Sequence, residues 1–349
     1  MKYLVTGSPG WLGTRFLRAL TGNIDDLSGI TPIKSNDEII CLVLPNMQSD
    51  FLEGIDDRIK TVEGNITDKS SLSKFFADSQ GSILFHLAGI IHPGFWVRQI
   101  YNINFEGTRN LLEHAIDSGV QRIISTSSNS PIGTNPRHDH LFDESSPYNP
   151  YMAYGKSKMQ MEVLLNNAFS EKKIESVILR PCWFYGPDQP PRQTTFFSMV
   201  KNGKAPIIGG GESRRSMSYV DNTCQALLLC ALSKKANGNT YWIADSNPYS
   251  MNEIIDTIER LLELEFNIEV KHKRLRLPNL ASGFAYYMDS LTQAFGFYLQ
   301  KVHVLSEMNK TIACSIEKAK EDLNYRPKIN LEEGMRRSIK WCLDNGHKI

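Results

Sequence analysis

The chain has 349 residues, 41% hydrophobic and 22% charged, with 39 lysines and arginines against 38 acids. That length and balance allow a large core and exclude a collagen, a coiled coil, a mainly disordered chain and a protein drawn to nucleic acid by bulk charge. Six cysteines with no C-x-x-C pair fit a cytoplasmic protein without a disulfide framework, and no metal site is expected.

The first elements alternate strictly. Lys2–Thr6 reads as a strand, Gly7 to Gly13 as a glycine-rich turn, and Trp11–Leu20 as an amphipathic helix. The polar stretch Thr21–Asp37 reads as a loop. Strands are then expected at Glu38–Leu44, Ile59–Val62, Ser82–His86, Gln121–Thr126 and Ser176–Leu179, and helices at Ser70–Ala77, Ile103–Ile116 and Met152–Ala168. Strands apolar on both faces, separated by helices, imply a doubly wound parallel sheet of Rossmann type, an α/β fold. Beyond Pro181 the chain breaks into Gly/Pro-rich pieces, with a helix at Asp221–Leu232, a strand at Thr240–Ala244 and a helix at Asn252–Leu264. A dinucleotide-binding domain over 1–180 and a smaller substrate lobe over 181–349 are therefore expected, with 207–245 returning to the first domain. The aromatic stretch Leu280–Tyr298 has helical spacing, and a core-facing helix of the small lobe is its first reading; a lid, or a surface for a partner or membrane, is the sharper one. Asp289 interrupts it, so no membrane span is expected.

Three constellations carry chemistry. Gly7, Gly10 and Gly13 at a strand-to-helix junction allow a tight turn, close approach of a diphosphate and a helix N-terminus aimed at it. Tyr154 and Lys158 share a helix face, where a nearby ammonium would favour the phenolate. Ser125–Ser128 closes a predicted strand, at the edge where parallel sheets hold ligands. His86 and His92 flank the exit of the fourth strand, where a dinucleotide site or plain packing could use them.

In order and spacing these motifs resemble the extended short-chain dehydrogenase/reductase superfamily, specifically its NAD-dependent epimerase/dehydratase and 3β-hydroxysteroid dehydrogenase-like groups. The resemblance runs on through Gly64-Asn65-Ile66-Thr67-Asp68, His86-Leu87-Ala88-Gly89, Asn104-x-x-Gly107-Thr108, Arg180-Pro181, Tyr185-Gly186-Pro187, Tyr219-Val220-Asp221-Asn222 and the tail Leu323-Asn324-Tyr325-Arg326-Pro327. It implies a dehydrogenase/reductase or epimerase with Tyr154 as acid/base, Lys158 on the nicotinamide ribose and depressing the tyrosine pKa, and Ser128, with Ser127 as the fallback, orienting substrate. The cofactor residues it implies are Gly7, Gly10, Trp11, Leu12, Gly13, Asn65, Ile66, Leu87, Ala88, Asn104, Lys158 and Pro181.

Departures from the family pattern bear on cofactor and substrate. Leu44-Pro45-Asn46 offers neither the acid usual for NAD nor a cation for NADP, and the lack of a cation favours NAD. Asn129 and Ser130 replace the Asp-Glu pair of sugar dehydratases. Trp183, with Phe184 beside it, replaces an asparagine of nucleotide-sugar epimerases and points to an apolar substrate. Arg215 stands where those enzymes bind phosphate. It is expected to be exposed or paired with a carboxylate, and uridine and guanosine diphosphates are expected to add no thermal stability. The reaction expected is net oxidoreduction of a secondary alcohol or ketone. A nucleotide-sugar epimerase with retained NAD is the alternative, and a silent dinucleotide-binding protein comes last. A homodimer is compatible with all three.

Overall fold

The computed structural model describes residues 1–349. Seven parallel strands form one sheet: β1 (Lys2–Thr6), β2 (Glu38–Val43), β3 (Ile59–Glu63), β4 (Ile83–His86), β5 (Arg122–Thr126), β6 (Glu175–Pro181) and β7 (Thr240–Ile243), in the spatial order β7-β6-β5-β4-β1-β2-β3. The chain winds outward from β1 in one direction and from β4 in the other. Between these two strands Thr6 lies opposite His86 in register. Their carboxyl ends border the crevice where doubly wound sheets bind ligands.

In chain order the helices are α1 (Trp11–Leu20), α2 (Arg98–Tyr101), α3 (Gly107–Asp117), α4 (Met152–Ser170), α5 (Pro191–Lys201), α6 (Val220–Leu232), α7 (Met251–Leu264), α8 (Asn279–Ala294), α9 (Gln300–Glu307), α10 (Glu317–Leu323) and α11 (Leu331–Asp344). A π-turn, Asn102–Glu106, joins α2 to α3. One face of the sheet packs Phe16, Leu17, Leu227 and Trp242; the other packs Phe75, Leu111, Met161 and Leu165. Each such side chain contributes roughly 1.5–3 kcal/mol when fully buried.

The small lobe has its own core. In α7, Ile254, Ile255, Ile258, Leu261 and Leu262 fall on one face and meet Phe197, Met335 and Ile339. A capping box, Ser250 with Glu253, starts that helix by satisfying its first amides. The carboxyl-terminal segment belongs to both cores: Ile316, Ala319, Leu323 and Tyr325 pack into the sheet domain, while Ile329, Leu331, Met335 and Ile339 pack into the lobe. Asn222 clamps the crossing, donating to Ile329 O at 2.7 Å and accepting from the amides of Lys328 and Ile329.

Four expectations change. Residues 70–77 form a short 3-10 turn (Lys69–Leu72) and loose turns instead of an α-helix, because Asp68 draws the amide and hydroxyl of Ser70 into a local cap. Asp25–Ile30 puts a 3-10 segment into the expected loop. The lobe adds three short ladders, Trp183–Tyr185 with Met217–Tyr219, Arg214–Arg215 with Tyr249–Ser250, and Pro206–Ile208 with Leu275–Leu277; two or three residues are too few to show a period. Finally, α8 does not face a core. Only Ser282, Ala285 and Asp289 of it are buried, so its small and polar face is the packed one. No helix is long and apolar enough to cross a membrane.

Candidate active site

The glycine turn is built by close backbone contact. A Cβ on Gly7, whose φ is +92°, would stand 2.6 Å from Leu87 C and Ala88 N; one on Gly13 would stand 2.4 Å from Gly7 O. Only glycine allows β1, the β4 exit and α1 to meet this closely. The result is an uncapped helix start: no side chain caps α1, and the amides of Trp11, Leu12 and Gly13 have no partner. Three free N–H groups at the positive end of a helix dipole fit a diphosphate. Asp37 and Glu38 lie at the far end of β2, paired with the amino terminus and Lys60, and so cannot serve a ribose here. Asn65 and Ile66 follow the carboxyl end of β3, at the crevice end of the sheet. Asn65 Oδ1 accepts from the amide and hydroxyl of Thr67, and buried Ile66 presses on Gly107.

His86 turns out to be structural. Thr108 donates its hydroxyl to Asn104 O at 2.7 Å, so it accepts from His86 Nε2 at 2.8 Å. Nδ1 then accepts from Thr6, whose oxygen takes the amide of Ala88. Burial holds this imidazole down to about 3, hence neutral. Asn104, fully buried in the π-turn, bonds both the amide and the carbonyl of Ile90 at 2.9 Å and reaches Ser157 on α4. It thus fixes the β4 exit loop against the helix carrying Tyr154.

Tyr154, Ser128 and Lys158 are all buried at the carboxyl end of the sheet. Tyr154 packs with Val97, Ile100, Ala153 and Tyr298. Burial pushes its phenol up to about 12, opposed by the Ser128 hydroxyl and the charge of Arg192. Lys158 is held down to about 8 by burial; its ammonium donates to Thr126 O at 2.9 Å. Gly89 lies close by, since a Cβ there would stand 3.2 Å from Lys158 Nζ. Of the charged groups, Glu307 raises this phenol and Arg192, at the start of α5, lowers it. Nothing in the sequence around Pro190-Pro191-Arg192 signalled this cation, because its charge reaches Tyr154 only through the folding of the lobe.

Ser127 is committed elsewhere. Its hydroxyl donates to Glu162 Oε1 at 2.5 Å, and Glu162, fully buried, also takes Arg180 Nε and Nη2 (2.6 Å to Oε2) and the Tyr148 hydroxyl. Ser128, in contrast, makes loose contacts of 3.3 Å with Asn129 and Ser130, and its hydroxyl also acts on the Tyr154 phenol.

On the substrate side, Pro181 ends β6, Phe184 leans on Trp11 (6.1 Å between centroids), and Trp183 turns toward Phe196 of the lobe. Phe184 thus borders the glycine turn, while Trp183 packs against the lobe core. Arg215 corrects its expectation. It is buried, donates to the backbone carbonyl of Glu307 at 2.5 Å, has no carboxylate in ion-pair range, and leaves Nε without a partner. Burial lowers its pKa. The α8–α9 hairpin roofs this region: Gln293 accepts the amide of Ala153 at 3.0 Å, and Asp289 binds both Gln293 and His303. A shallow hollow of about 480 Å³ at Val120, Phe169 and Ile174 lies at the opposite edge of the sheet and shares none of these groups.

The model of the NAD dependent epimerase/dehydratase family matches residues 3–244. The chain is 46% identical to an uncharacterized protein, y4nL, of Sinorhizobium fredii, over 99% of this chain and 96% of that one. It is 27% identical to the N-acetyl-alpha-D-glucosaminyl-diphospho-ditrans,octacis-undecaprenol 4-epimerase of Escherichia coli O157:H7, covering 74% and 72% of the two chains. Among solved structures it is similar to dTDP-glucose 4,6-dehydratase of Bacillus anthracis in complex with NAD, with a TM-score of 0.75, 20% identity and coverage of 99% and 97%.

Proposed function

Because the chain belongs to the NAD dependent epimerase/dehydratase family, we propose that it is an enzyme moving hydride between NAD and a secondary alcohol or ketone carbon. The observation that carries this reading is the convergence of Tyr154, Ser128 and Lys158 on the crevice beside the uncapped start of α1. NAD, when bound, supplies the hydride acceptor or donor. The free amides of Trp11, Leu12 and Gly13 would hold its diphosphate. Tyr154 would take the hydroxyl proton as the alcohol is oxidised and return it as the ketone is reduced; Ser128 would hold the same oxygen by a hydrogen bond. Lys158 would hold the ribose and keep positive charge near the phenolate. Asn129 and Ser130, in place of an acidic pair, argue against dehydration.

A second observation favours an anionic substrate. A buried guanidinium with no ion-pair partner and an unpartnered Nε is incompletely satisfied, and a phosphate or diphosphate would complete it by charge-assisted hydrogen bonds. Arg215 therefore supports a sugar diphosphate as substrate, with epimerisation as the net outcome if NAD stays bound. The name of the E. coli relative includes such a group. Thermal melting with NAD alone and with added uridine or thymidine diphosphate tests this. An upward shift of several degrees from the nucleotide, absent in Arg215→Ala, is expected. No shift in the parent protein would return the substrate to the uncharged, apolar class. Accumulation of free NADH with substrate would separate net oxidation from epimerisation.

A further inference from the structure

The outward face of α8 is bare. Leu280, Phe284, Tyr287, Leu291 and Phe295 recur at three- and four-residue steps and form one stripe; they are 85%, 71%, 77%, 49% and 71% exposed. Single exposed apolar residues are ordinary, but a continuous stripe marks an interaction surface. The helix inverts the usual order, since its inner face is Ser282, Ala285, Asp289 and Gln293, of which Ser282, Asp289 and Gln293 hydrogen-bond to neighbouring segments. At its carboxyl end the stripe continues into exposed Phe95 and Trp96. There Tyr298 donates to Phe95 O at 2.7 Å, Val97 donates to Gly296 O at 3.0 Å, and the rings of Trp96 and Phe297 lie 5.3 Å apart.

Charge identifies the occupant. Between residues 270 and 310 stand six lysines and arginines against two acids, in a chain whose formal charge is only +1. One of the acids, Asp289, is buried. Lys271, Lys273 and Arg276 lead into α8, and Lys301 and Arg98 stand at its other end; all five are exposed and none is in an ion pair. Aromatic and aliphatic side chains rimmed by cations suit the boundary of an anionic bilayer, where the rings enter the acyl boundary and the cations meet headgroups. A second copy of the chain would fit poorly. A two-fold contact sets the same patch against itself, so the cationic rims would face each other.

We propose that the α8 stripe, with Phe95 and Trp96, is a peripheral docking surface for an anionic lipid bilayer. The helix lies along the surface rather than across it. Val97 and Tyr298, from the short pairing that carries Phe95 and Trp96, share one buried cluster with Tyr154, so a docked bilayer lies close to the crevice. The inference is independent of the redox reading.

Sedimentation of the full-length protein with vesicles, without NAD or substrate, tests it. Binding to phosphatidylcholine–phosphatidylglycerol vesicles is expected to exceed binding to pure phosphatidylcholine by about tenfold or more and to weaken with salt. Phe284→Ser with Tyr287→Ser should abolish it with melting unchanged. Lys273→Gln with Arg276→Gln should reduce only the anionic component. A blue shift of tryptophan emission on adding anionic vesicles, lost in Trp96→Phe, gives a readout that does not depend on the serine variant folding. No sedimentation with either vesicle, undiminished binding by the serine variant, or a dimer in sedimentation equilibrium that this variant dissociates would overturn the proposal.

Discussion

Tyr154→Phe is expected to lower turnover by about 10²–10⁴-fold, the usual contribution of a general acid/base, while NAD affinity stays within about threefold. The substitution removes one oxygen from a ring already packed between Val97, Ile100 and Tyr298, so the surrounding structure has no reason to move. In the alcohol-oxidising direction the active form is the phenolate. Because burial pushes this phenol up to about 12, turnover in the parent protein should climb with pH through the neutral and alkaline range. That climb should disappear in the phenylalanine variant. Steady-state rates across pH, with NAD titration by fluorescence, check both halves. A variant that keeps its rate would remove Tyr154 from the chemistry.

Glu162→Ala should cost about 3–5 kcal/mol of stability, because it leaves the buried Arg180 guanidinium without its partner. The same change strands the buried hydroxyl of Ser127 and takes a partner from that of Tyr148. Denaturant titration reads the loss directly. Replacing both charges together, Glu162→Leu with Arg180→Met, should be clearly less damaging than Glu162→Ala alone, since no buried charge is then left unpaired. If the single and double variants lose stability equally, the pair is held by packing and not by charge.

The sheet was legible in the sequence because its strands are short apolar runs bounded by glycine turns and amphipathic helices, a local signal for each element. The glycine turn was legible for the same reason. What joins the site together is not local. Glu162 meets Arg180 and Ser127 across intervals of 18 and 35 residues, and Gln293 reaches Ala153 across 140. No spacing rule foresees such pairs. The aromatic period of α8 was visible, but a period shows only that residues share a face. It does not show whether that face turns to protein or away from it. Arg215 failed for a related reason: neither its exposure nor its partner is written in its neighbours, and both come from the α8–α9 hairpin folding over it.

The carboxyl-terminal segment has a consequence for how the molecule comes apart. Tyr325 is fully buried and donates to Ala244 O at 3.0 Å beside β7, and a few residues later Ile329 is gripped by Asn222 and enters the core of the lobe. A strand of chain belonging to two cores acts as a buckle. Neither core can melt while the buckle is fastened, and once it opens each is left with an unfilled side. Heating or denaturant should therefore release sheet and lobe as one cooperative unit, despite their separate hydrophobic clusters.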